Sequence, residues 1–173
     1  MESRPLFAPW RMAYIRGLDK PAPATGDCFL CDAATAANEA EFRARLVLWV
    51  TAHSVVLLNA YPYTNGHLLI APRAHKAELE ELGEAEQLDL QVQTTRAVQL
   101  LKRAISPQGF NLGMNLGRMA GAGLPNHLHQ HAVPRWGGDT NFMSVVGEVR
   151  VVPEALSRMY EELVRVGGEM GWK

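Results

Sequence analysis

Three of the chain's six histidines fall within seven residues, His127-Leu128-His129-Gln130-His131-Ala132-Val133. If this stretch is a strand, alternate side chains share a face and the three imidazoles line one surface. A lone strand histidine is usually structural or merely exposed. Three on one face concentrate ionisable groups that a core does not need, and buried titratable groups must be paired or used. Two chemistries fit. The imidazoles can chelate a catalytic zinc, since His-x-His on a strand supplies two ligands and a third completes an open site, although no carboxylate lies inside the motif to act as base. Alternatively, one imidazole attacks phosphorus while its neighbours fix its tautomer and help charge develop on the leaving group. Attack on phosphorus needs a phosphate site nearby. Gly117-Arg118-Met119-Ala120-Gly121-Ala122-Gly123 offers one, because glycines let backbone N–H groups approach phosphate oxygens. Its position directly before the imidazoles favours the phosphorus chemistry.

The other reactive residues are Cys28 and Cys31, the chain's two cysteines, which are too close in sequence to staple distant parts of a fold. A redox pair is disfavoured, because the flanking Asp27 and Asp32 would raise the thiol pKa values. Zinc fits better, with two further ligands drawn from distant histidines; two merely buried thiols are the bland alternative. His67 follows an Asn-Gly pair and His53 precedes a strand, so both are expected at turns or on the surface.

The elements that must position these groups follow from periodicity. Leu46 to Trp49, Val55 to Asn59 and His67 to Ala71 read as consecutive, hairpin-linked strands, with Asn65-Gly66 the strongest turn cue. One long amphipathic helix is predicted from about Gly83 to Ile105, opened by Glu84 and Glu86 and closed by Pro107 and Gly109. Phe110 to Leu116 reads as a strand with an apolar face and a polar, small-residue face of Asn111, Gly113 and Asn115. Pro134 to Asn141 is a turn-rich exit. Pro153 then opens a terminal helix carrying Leu156, Met159, Tyr160, Leu163 and Val164. Trp49 and Trp136 are read as packing. Residues 1–26, with four prolines, read as an irregular arm, and residues 142–173 as an extension with a helix, giving a single domain over 1–173. The fold class is α+β, a mainly antiparallel sheet with one long helix and a C-terminal helix. A hydrophobic fraction of 47% against 20% charged excludes a disordered chain. With a formal charge of −1, no global attraction to DNA, RNA or an anionic bilayer is expected, and an anionic ligand must be bound locally. No apolar run spans a membrane, so a soluble, cytoplasmic protein is expected.

The stretch Gly121 to Asp139, with the three histidines followed by Pro134-Arg135-Trp136-Gly137-Gly138-Asp139, resembles the histidine triad (HIT) superfamily of nucleotidyl hydrolases and transferases. The resemblance extends to Asn59-Ala60-Tyr61-Pro62, Gly66-His67-Leu68-Leu69-Ile70, Pro72-Arg73-Ala74-His75 and Asn111-Leu112-Gly113-Met114-Asn115, covering roughly residues 28–141. Phe7-Ala8-Pro9-Trp10-Arg11 and Asp139-Thr140-Asn141-Phe142-Met143 look more narrowly like its bacterial diadenosine tetraphosphate hydrolase and phosphorylase branch.

The resemblance implies a nucleoside polyphosphate substrate and His129 as the nucleophile that carries a covalent nucleotidyl group; the alternatives are a zinc-dependent hydrolase with the three motif histidines as ligands and a catalytically idle nucleotide-binding module. It implies His131 as the residue contacting the phosphate oxygens, Asn59 on the ribose, Leu57 on the base and Asn115 on phosphate. Gly121 and Gly123 fall in the phosphate loop. Zinc-containing relatives imply a structural zinc on Cys28, Cys31, His75 and His127, and relatives commonly pair as homodimers. Two departures stand out. Gln130 replaces an apolar residue, and Gly121-Ala122-Gly123-Leu124 lacks the hydroxyl usual there, which shifts phosphate contacts toward backbone N–H groups. Arg118 and Arg135 are the nearest basic residues in sequence for an acceptor phosphate.

Overall fold

The computed structural model describes residues 28–139 and 154–172. The expected arm over 1–26, the segment beyond Asp139 and Pro153 as helix opener lie outside them. The described chain runs α1 (Phe29–Ala34), α2 (Glu39–Ala44), β1 (Val47–Val50), β2 (Ser54–Leu58), β3 (Leu68–Pro72), α3 (Glu84–Ile105), β4 (Gly109–Met114), β5 (Gln130–Arg135) and α4 (Leu156–Glu169), with 3-10 turns at Leu79–Glu81 and Arg118–Ala120. The five strands form one antiparallel sheet in the order β1-β2-β3-β5-β4. The α+β expectation holds.

Strands β2 and β3 are buried along their whole length because both faces of the sheet are covered. Val56, Leu58, Leu68, Ile70, Leu128 and Ala132 pack under α3 and α4 with Leu90, Ala97, Leu100, Leu101, Met159, Tyr160 and Leu163. The opposite parity, Val55, Leu57, Leu69 and Ala71, packs with Leu30, Ala33 and Ala34 of α1. Helix α3 begins where predicted. The Glu86 carboxylate accepts the Gly83 N–H at 2.8 Å, and the helix ends at Ser106 in a left-handed conformation before Pro107. In α4 the buried stripe is Met159, Tyr160, Leu163, Val166 and Gly167; Val164, expected on that stripe, is 47% exposed.

Several boundaries differ from the sequence reading. The strands read as Val55 to Asn59 and His67 to Ala71 are Ser54–Leu58 and Leu68–Pro72, so residues 59–67 join β2 to β3. The ladder of β5 starts only at Gln130 and runs through Pro134 and Arg135. His127 and His129 precede it because the backbone there bonds elsewhere: the His127 N–H to Leu124 O and the Leu128 N–H to Lys76 O at 2.7 Å. β4 stops at Met114, so Asn115 lies just past its end. Leu112, on the edge strand β4, is 49% exposed, and Leu116, past the strand's end, 43%.

Candidate active site and metal centre

One row across the sheet locates the site. Leu57 pairs with Leu69, Leu69 with His131, and His131 with Gly113. Directly paired residues share a face, so all four lie on the face opposite α3. Gly113 brings no side chain and leaves the space beside His131 open.

At one end of this face Cys28 caps the start of α1, its sulfur accepting the Cys31 N–H. One helical turn therefore sets both thiols on the same side. His75 follows β3 by three residues, and His127 is fully buried. The Cys28 sulfur lies 3.2 Å from His127 Nδ1, and the Cys31 sulfur lies 3.1 Å from His75 Nδ1 and 3.5 Å from His127 Nδ1. All four donor atoms fall within 4.8 Å of one another. A zinc tetrahedron with Zn–S of about 2.3 Å and Zn–N of about 2.0 Å has S···N edges of roughly 3.5 Å, so the donor set fits that ion. The Nε2–H of His127 donates to Pro72 O at 2.8 Å, which leaves Nδ1 as the lone pair facing the thiols. Burial holds His127 below the ordinary histidine value, in the neutral form a ligand needs. Burial, and then the neighbouring Cys28, pushes the Cys31 thiol up to about 11. At neutral pH a thiol held that high becomes a thiolate only against a cation. Asp32, expected to raise the thiols, instead pairs with Arg45 at 3.2 Å.

The other two motif imidazoles form a second group. His129 is 7% exposed, and its Nδ1–H donates to the His127 carbonyl at 2.8 Å, so its Nε2 is a lone pair. Burial lowers the His129 pKa, keeping that lone pair free at neutral pH. The His131 ring sits 5.0 Å away at 68°. The three motif imidazoles therefore do not converge on one ion. His127 turns to the thiols, and the Nδ1 atoms of His129 and His131 are engaged with protein partners.

His67, expected at a turn or on the surface, is fully buried in the site. Its Nδ1 accepts the Tyr63 N–H at 3.1 Å and contacts the Asn59 amide nitrogen at 3.2 Å. A backbone N–H can only donate, so the His67 proton is on Nε2, which donates to His131 Nδ1 at 2.9 Å. His131 then carries its own proton on Nε2, a buried atom with no hydrogen-bond partner among the described residues. Burial, then His129, pushes His131 down to about 4. The two neutral imidazoles thus present opposite chemistry at Nε2: a lone pair on His129 and a donor on His131. His53 is exposed, as expected.

Asn59 follows β2, and its Oδ1 accepts the Tyr61 N–H at 3.0 Å. Gly121 takes a left-handed φ of +91°, which its missing side chain permits, but its N–H is used on Arg118 O. Gly123 is exposed in the same loop, and Asn115 is half-buried. Arg118 opens the 3-10 turn at the start of this loop. Arg135, read as a phosphate cation, is committed to protein: it forks onto Asp139 at 2.6 and 2.8 Å and donates to Asn111 at 2.6 Å.

Comparison with known proteins agrees with this architecture. The HIT domain model matches residues 43–138, and the chain belongs to the HIT family. An AP-4-A phosphorylase of Mycobacterium tuberculosis is 46% identical over 100 residues, which are 58% of this chain and 51% of that protein. The chain thus matches about half the length of that relative. The NitFhit protein of Caenorhabditis elegans superposes with a TM-score of 0.57 at 28% identity, covering 70% of this chain and 26% of that one. A Zn-bound histidine triad family protein from Mycobacterium smegmatis superposes with a TM-score of 0.61, covering 73% of this chain and 86% of that one; at 21% identity it speaks for the fold alone.

Proposed function

We propose that this chain is a HIT-type nucleotidyl hydrolase or phosphorylase that cleaves dinucleoside polyphosphates such as diadenosine tetraphosphate. The observation that carries this reading is the opposed pair of tautomers, with the His129 Nε2 lone pair beside a His131 Nε2–H that has no partner among the described residues. In this reading His129 Nε2 attacks the α-phosphorus, the bond to the bridging oxygen breaks, and that oxygen leaves with the electron pair as part of ATP. His131 donates to a phosphate oxygen as charge builds. Water then attacks the nucleotidyl-histidine to release AMP, or inorganic phosphate does so to release ADP, and His129 is regenerated either way. Identity to an AP-4-A phosphorylase supports the substrate class. Leu57 is assigned to the base, Asn59 to the ribose, and Asn115, Gly121, Gly123 and His131 to the phosphates.

A structural zinc on Cys28, Cys31, His75 and His127 belongs to the same proposal, supported by the spacing of the donor atoms. Zinc would supply charge to hold both thiolates and join α1, β3 and the motif. Free thiols suit a reducing, cytoplasmic compartment. A homodimer through β4 is supported by its edge position and the exposed Leu112 and Leu116. No DNA, RNA or membrane partner is proposed, and no described helix is long and apolar enough to cross a membrane.

Intact-mass analysis after mixing with diadenosine tetraphosphate tests the mechanism. A transient nucleotidyl adduct is expected, absent in His129→Ala, which should keep nucleotide binding while losing orders of magnitude in kcat. A His129→Ala protein that keeps more than about a tenth of kcat refutes nucleophilic catalysis.

A further inference from the structure

The hydrogen bond from His67 fixes which nitrogen of His131 carries the proton, but it does not fix the ring plane. The ring is tethered at Cβ, and one hydrogen bond at Nδ1 still lets it rock through χ1 and χ2. Its free N–H lies in the ring plane, so a swing carries the donor away from the phosphate, and hydrogen bonds weaken steeply once misaligned. Something must hold the plane. The ring of Tyr63 lies over His131, stacked at 5.7 Å between centroids and 22° between planes, and over His67 at 4.6 Å and 37°. Tyr63 is 41% exposed, so its ring closes the solvent side of the imidazole pair rather than filling core.

We propose that the Tyr63 ring is a positioning residue that clamps the plane of His131 and so aims its Nε2–H at the substrate phosphate. The inference rests on the proposed phosphate role of His131, and the catalytic contact itself remains with His131. Two parts of Tyr63 do separable work. Its backbone N–H sets the His67 tautomer, and that bond does not use the side chain. Its ring sets the orientation, and stacking needs an aromatic face rather than a hydroxyl.

The test compares Tyr63→Phe with Tyr63→Leu. With diadenosine tetraphosphate, Tyr63→Phe should keep at least half of kcat. Tyr63→Leu should lose about tenfold in kcat with KM changed less than twofold, because a misaimed donor is missed most where charge builds. Thermal midpoints of the two variants should agree within a few degrees. If Tyr63→Leu keeps more than half of kcat, or Tyr63→Phe falls as far as Tyr63→Leu, the clamp is overturned. A second measurement needs no substrate. Nitrogen-15 spectra of the imidazoles should give His131 as one sharp Nε2–H tautomer in the wild type and in Tyr63→Phe, and broadened in Tyr63→Leu. Unchanged His131 signals in Tyr63→Leu overturn the clamp whatever the substrate. Broadening in a protein that does not turn over diadenosine tetraphosphate upholds the clamp and refutes the proposed substrate instead. Should Tyr63→Leu fail to fold, Tyr63→Met carries the same comparison.

Discussion

His67 offers the sharpest separation of orientation from bulk. Replacing it with Leu removes the donor to His131 Nδ1 and the acceptor for the Tyr63 N–H and the Asn59 amide. A net hydrogen bond is worth about 1 kcal/mol, so the Nε2–H form of His131 loses roughly a factor of five in preference, and kcat should fall about 3- to 10-fold. Stability should fall as well, because leaving a buried group unsatisfied costs about 1–3 kcal/mol, or roughly 2–12 °C in Tm at 2–4 °C per kcal/mol. Gln is the informative control, since its amide nitrogen can occupy the place of Nε2 and donate to His131. His67→Gln is therefore expected to recover most of the kcat that His67→Leu loses. Steady-state kinetics, with thermal melts to confirm folding, decide the matter. Equal kcat in the folded Leu and Gln proteins would show that His67 is only a space-filling residue.

Cys28→Ser should lower zinc content and Tm together, measured by elemental analysis and calorimetry; protein purified without chelators and free of zinc would remove the metal site. The acid limb of kcat/KM should lie below the ordinary histidine value of 6.5, because burial depresses His129 and His131, the latter to about 4. Stability runs with the same sign. The unfolded chain takes up the His131 proton first, so stability present above pH 6.5 is lost as pH falls toward 4, and an acid-side melt series that is flat would contradict this. In a phosphate titration followed by the AMP to ADP ratio, Arg118→Ala should weaken diversion toward ADP, while Arg135→Ala should shift the ratio less than twofold because its guanidinium is held by Asp139 and Asn111.

The residues that the structure brings together were legible in the sequence where rare types were spaced closely: the three histidines and the cysteine pair. His67 was hidden because Tyr63-Thr64-Asn65-Gly66 reads as a turn that ends at the surface. A signal was present, since His67 shares parity with Leu69 and so falls on the face of His131. Helix α2 was also readable: Asn38 accepts the Glu41 N–H at 3.0 Å and the Glu41 carboxylate accepts the Ala37 N–H at 3.0 Å, an Asn-x-x-Glu cap visible as sequence. What periodicity could not supply was the direction of His127. Strand alternation puts it beside His129 and His131, whereas the bonds of its neighbours to Leu124 and Lys76 take it off the ladder and toward the cysteines.

That direction makes His127 a shared member of both centres. Its imidazole faces the thiols and its carbonyl orients His129. The two roles would respond differently to loss of the proposed metal. The imidazole would lose its ligand bond but keep Pro72, whereas the carbonyl belongs to a backbone held before it by Leu124, after it by Lys76, and then by the β5 ladder. Main chain pinned on both sides moves less than a side chain released at one nitrogen. Removing the proposed metal would therefore act first on the joint between α1, β3 and the motif, and would reach the proposed nucleophile only once that joint opens.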